Sequence, residues 1–160
     1  MKIKLTRKET VAACNFLGTI NLRGADENFA RKVIIAQMAL HSVAKKIVEE
    51  EELVRAKFID TDEAKDKCQA FTKAYQEMIA SRKEGSNVLD KDAVQAFSSA
   101  YEQVRPYNES IDKAFKALEE KFKFSPDIDP FSLEELVAHF SKIGVDFNLR
   151  SFDPITKFIK

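Results

Sequence analysis

Tryptophan is absent from the 160 residues, and glycine and proline number only four each. All-β folds turn the chain often and need more of both, so these shortages argue against a sandwich or a barrel. The glycines, Gly18, Gly24, Gly85 and Gly144, stand isolated, which leaves no glycine-rich loop to cradle a phosphate. There are two cysteines, Cys14 and Cys68, far apart and not in a CxxC; both read as reduced core residues rather than a disulfide or metal pair. Only two histidines occur, His41 and His139, and no HExxH, H-x-E or GxSxG pattern accompanies them. A zinc site normally needs several His or Cys at close spacing. No metal, no cofactor and no catalytic residue is therefore expected, and the chain reads as non-enzymatic.

An excess of charge of either sign is also missing, because 26 basic residues balance 26 acidic ones. Strong nucleic-acid binding draws on a basic surface, so a nucleic-acid partner is not expected. Long apolar runs are lacking too. The most apolar stretch, Val33 to Leu40, is short and contains Gln37, whereas a membrane span needs about 18–20 residues. Lysines and Arg7 interrupt MKIKLTRKET, which leaves no apolar signal core. These absences predict a cytoplasmic protein without a membrane partner.

What is present is helical periodicity, over a length that suits one domain, 1–160. MKIKL alternates and predicts a short strand with Ile3 and Leu5 inward. Thr6 and Glu9 form a capping-box pattern for a first helix reaching about Ile20. Asp26 caps a second helix whose apolar seam is Phe29, Val33, Ala36, Leu40, Val43, Ile47 and Val54. Ala30, Ile34, Met38, Ala44 and Val48 widen that seam and predict burial on more than one side in the first half. This helix extends to about Ile59, roughly 50 Å at 1.5 Å per residue. The Asp60–Asp62 break then predicts an antiparallel helical hairpin over 26–84, with Gly85 ending its second arm. A fourth helical stretch keeps one apolar phase from Ala93 through Phe122 across Pro106, which predicts a kinked helix, or two helices nearly in line, rather than a reversal. A Pro-rich loop, 124–131, precedes a second capping box at Ser132 and Glu135. The segment 132–160 reads as helix, strand (Val145, Phe147 and Leu149 inward) and a short helix capped by Asp153 with Pro154 first. The expected fold is mainly α: a long antiparallel helical hairpin within a helical bundle, with a small β element formed by the termini.

The run Glu49–Glu52 is the most conspicuous charge feature. Four consecutive glutamates splay around a helix and cannot converge on one metal. The simplest reading is a solvated hairpin end, in which Glu50 alone falls on the apolar seam. That end, with Glu49, Glu50, Glu52, Arg55 and Phe58, is the candidate partner-contact surface. Lys2, Lys4, Arg7, Lys8 and Arg23 make the first segment basic, which would suit head-to-tail contact between copies. Asp127 and Asp129 form a D-x-D that reads as a loop beside proline. Phe71, Tyr75, Phe97, Tyr101, Phe115 and Phe122 read as core aromatics.

The motifs KIKLTRKET, FARKVIIAQMAL, EEELVRAKF, SLEELVAHF and DPITKFIK, in that order, resemble small uncharacterised helical proteins of tailed bacteriophages. The resemblance implies no catalytic residues. With the helical pattern, it gives the expectation of a phage-type interaction or assembly protein, working in a host cytoplasm through helix–helix contacts with a protein partner or with itself as a homo-oligomer. The alternative expectation is a protein that sequesters a small nucleotide signal against host defence. Arg23, Arg31, Lys32, Arg105 and Tyr107 are its candidate ligand-binding residues.

Overall fold

The computed structural model describes residues 2–82 and 88–160, and it is mainly helical. The elements are α1 (Arg7–Thr19), α2 (Glu27–Phe58), α3 (Asp62–Ala80), α4 (Lys91–Lys121), α5 (Leu133–Lys142) and a 3-10 helix (Leu149–Phe158). Local chemistry explains where most of them begin. The Thr6 hydroxyl accepts from the Glu9 N–H while the Glu9 carboxylate accepts from the Thr6 N–H. Ser132 and Glu135 repeat the arrangement at α5. Asp26 Oδ1 accepts from the Asn28 and Phe29 N–H groups at 2.9 and 3.2 Å. Each contact satisfies a donor that the first helical turn leaves open. α5 stops at Gly144, whose φ of +67° only glycine adopts without strain. Pro106 lies inside α4 without interrupting it. The expected hairpin end at Gly85 lies outside the described residues.

The chain divides into two compact units, Met1–Glu50 with Glu119–Lys160, and Glu51–Leu118. The first has a dense core. α1 supplies Ala13, Cys14 and Leu17, and α2 supplies Phe29, Val33, Ala36, Leu40 and Ala44. Ile128, Phe131, Leu136, Phe152, Ile155 and Phe158 close it from the later segments. Phe152 meets Phe16 edge-on with ring centroids 6.4 Å apart, which seats the 3-10 helix on α1. At Gly18 an added Cβ would come within 2.9 Å of Gln37 Nε2, so α1 and α2 approach closely there. The second unit is different. Among its described residues only Ala64, Ala74, Val104 and Ile111 are fully buried, and none of them is aromatic.

Two expectations are corrected. No strand occurs among the described residues, so the termini form no β element. Residues 2–5 do lie extended, with Ile3 and Leu5 buried, but only isolated antiparallel bridges join them to the Pro-rich loop: Lys2 to Asp127 and Leu5 to Phe124. Their hydrogen bonds are Ile3 N–H to Pro126 O, 3.3 Å, and Leu5 N–H to Phe124 O, 3.1 Å. The alternating segment after Gly144 becomes a coil and then the 3-10 helix. Asn148 and Ser151 bond reciprocally, side chain to backbone, at 3.2 and 3.1 Å, and this cap starts the helix well before Asp153. The second correction concerns α2, which buries one face only. Ile34, Ile35, Met38 and Val48 are exposed, Met38 to 72%.

Candidate functional site

The glutamate run does not sit at a helix end. Glu49–Glu52 lies within α2, whose last residue is Phe58. Glu49 pairs loosely with Lys45 at 3.7 Å, one turn back, and both are exposed. Glu50, the seam glutamate, receives the Arg7 guanidinium at 2.7 Å. Glu52 is exposed and Phe58 half-buried. Arg55 lies over the Phe115 ring, 5.0 Å from its centroid, a cation–π contact within the second unit.

Arg7 was expected in a basic surface cluster with Lys2, Lys4, Lys8 and Arg23. It is instead buried, at 6% exposure. Besides Glu50 it donates to Ile47 O at 3.3 Å, and its guanidinium faces the Phe122 ring. Its own backbone N–H donates to the Glu119 carboxylate at 3.1 Å, which places an acid at the positive end of α1. Arg23 is at the other end of α1, in the loop to α2.

The five candidate ligand residues fall in different units: Arg23, Arg31 and Lys32 in the first, Arg105 and Tyr107 in the second. Lys32 is held by Glu135 at 3.0 Å. Arg105 is held by Glu102 at 2.9 Å and Glu109 at 3.7 Å on its own helix. Arg23 and Arg31 are exposed, and Tyr107 is half-buried. His139 is buried, its Nε2 2.9 Å from Asn21 O and its ring against Phe29, so it fastens the α1–α2 loop to α5. Lys142 assists by donating to Gly24 O. His41 lines a shallow cleft in the first unit with Val11, Cys14, Asn15, Lys45 and Glu49. Burial pushes the Cys14 thiol up, away from the thiolate that nucleophilic chemistry needs. Both cysteines are free. Among the described residues no group of His, Cys, Asp and Glu is placed to hold a metal ion, and no helix is long and apolar enough to cross a membrane.

Among the described residues, large apolar side chains stay in the open on helix faces of both units. One face is on α2: Ile34, Ile35 and Met38, bordered by exposed Arg31, His41 and Lys45. The other is on α3 and α4, where Phe71, Tyr75, Phe97 and Tyr101 form a connected aromatic group. Phe71 and Phe97 are 5.5 Å apart, Tyr75 and Phe97 6.0 Å, and Phe71 and Tyr101 6.2 Å. These rings were expected in a core. Tyr75 and Tyr101 are 48% and 41% exposed, and Ile79 and Val94 extend the face. The reason is length. Only residues 51–58 of α2 belong to this unit, about 12 Å of helix, against about 28 Å for α3. A third helix so short leaves much of the α3–α4 pair without a cover. No known protein family, curated protein or solved structure matches this chain.

Proposed function

We propose that the chain is a non-enzymatic helical interaction protein, acting through helix–helix contact with a protein partner or with a second copy of itself. The open aromatic face of α3 and α4 carries this reading. Large apolar side chains that stay exposed across two adjacent helices mark a contact surface more often than a free one. Assembly or partner binding is the work that such a surface does. The phage-type assignment, and with it a host cytoplasm as the place of action, rests on the order of the sequence motifs.

The test is native mass spectrometry of gently purified protein beside a denatured control. An oligomer, or a stoichiometric protein complex, is the expected result. A monomer carrying a small-molecule adduct that denaturation releases would overturn the reading in favour of nucleotide sequestration, with Arg23, Arg31, Lys32, Arg105 and Tyr107 the first positions to substitute.

A further inference from the structure

We propose that the α3–α4 face is a self-association surface, on which the same face of a second copy packs to complete a four-helix bundle. This deepens the interaction reading and rests on it. An antiparallel helix pair cannot enclose its own apolar groove, and the economical closure is another pair.

Three observations select a second copy as the occupant. The first is extent. Tyr75, Ile79, Val94 and Tyr101 are each between 37% and 49% exposed. With about 200 Å² for a large side chain, and a contribution from half-buried Phe71 and Phe97, the face offers roughly 400–500 Å² of apolar surface. A standard interface takes about 800 Å² from each partner, a little over half of it apolar, so the face alone is of dimer size.

The second is electrical neutrality. Helical spacing places Thr72 and Gln76 beside the face on α3, and Lys91, Ser98, Glu102, Arg105 and Glu109 beside it on α4. Thr72, Gln76 and Ser98 carry no charge, Arg105 pairs with Glu102 at 2.9 Å and Glu109 at 3.7 Å, and Lys91 balances the second acid. A rim of balanced charge neither repels its own copy strongly nor selects a partner of one sign. The α2 face differs here, since Arg31 and Lys45 border it.

The third is that the two hydroxyls in the way are already satisfied. Thr72 Oγ1 donates to Cys68 O at 3.0 Å and Ser98 Oγ donates to Val94 O at 2.9 Å. Covering them strands no hydroxyl donor.

The experiment is sedimentation equilibrium on the full chain at about 1–100 μM, the range in which an interface of this size with ordinary packing associates. Wild type is compared with Tyr75→Glu and Tyr101→Glu, and with Met38→Glu on the α2 face. Circular dichroism verifies that each variant keeps its helix content; the substituted side chains are solvent-facing, and Ser98→Arg serves as a second, gentler probe of the rim. The expected result is a wild-type dimer, weakened about thirtyfold or more by either tyrosine variant and by Ser98→Arg, and unaffected by Met38→Glu. A wild type monomeric throughout the range overturns self-association. If that monomer also holds a releasable small molecule, the interaction reading falls with it. A dimer lost with Met38→Glu but indifferent to the α3–α4 variants overturns this face and leaves the interaction reading standing.

Discussion

Arg7 and Glu50 show how one pair of charges can organise a core. Neither is placed by its neighbours in sequence, since 43 residues separate them. Taking a guanidinium out of water is costly unless it is paired and hydrogen-bonded, and here it has Glu50, the Ile47 carbonyl and the Phe122 face. Arg7→Ala should lower the stability of the folded chain by about 3 kcal/mol, and Glu50→Gln by less, about 1–2 kcal/mol, because Glu50 keeps some contact with water. Denaturant titration of both variants measures the difference. Glu9 gives a pH-dependent counterpart. Its hydrogen bond from Lys157, and then that from the Thr6 N–H, hold the carboxyl below its ordinary 4.5. A depressed folded value means stability that is present above pH 4.5 and lost as the pH falls through the lowered value. Both partners are more than a third exposed, so the effect is small, about 0.5 kcal/mol. Glu9→Gln should be weaker than wild type at neutral pH and converge with it as the pH falls below 4.5 and through the lowered value. At this scale the caps were legible, because Thr6–Glu9, Asp26 and Ser132–Glu135 act within one turn. Arg7 was not, because its partners come from α2 and α4. The one available signal was Glu50 itself, an acid on an apolar seam that requires a cation from elsewhere.

At the scale of elements, helix existence followed from apolar spacing, and α2 and α4 end close to where that spacing ends. Pro106 is the exception to local preference. It deprives α4 of one backbone hydrogen bond, yet the helix continues, and Ser110 Oγ donates to Pro106 O at 2.9 Å. Pro106→Ala should therefore stabilise the chain, by about 1 kcal/mol or more, with a higher melting temperature and slightly more helical dichroism. The strand expected after Gly144 illustrates why short alternation misleads. Val145, Phe147 and Leu149 alternate over too few residues to outweigh one local cap, and Asn148 with Ser151 decides for a 3-10 helix. The extended reading of residues 2–5 had the inward residues right, Ile3 and Leu5. Their partner is the Pro-rich loop, which no pattern in the sequence marked as a place for them to pair.

For the whole molecule, the illegible quantity was which apolar surface would stay uncovered. Periodicity reports that a helix has an apolar face, not whether another element reaches it. Ile34, Met38, Tyr75 and Tyr101 all lie on well-formed stripes, and all four remain open. The two units should accordingly differ in protection. Amide hydrogen exchange on dilute protein should be slow in α1, in residues 27–50 of α2 and in α5, and faster in residues 71–80 and 91–101, where little is buried on either side. On the proposed dimer, protection of 71–101 rises with protein concentration, and that of the first unit does not.

The bridges between residues 2–5 and 124–127 also set a schedule. Leu5 leaves the site of synthesis about 120 residues before Phe124 exists, roughly 6–24 s at ordinary elongation rates. During that interval Ile3 and Leu5 lack the loop that pairs with them. Residues 51–118 form one uninterrupted stretch and have no such wait. The nascent chain therefore completes its more open half first and its better-packed half last. The hazard of premature association is greatest in the seconds when both the aromatic face and the unfinished core are exposed.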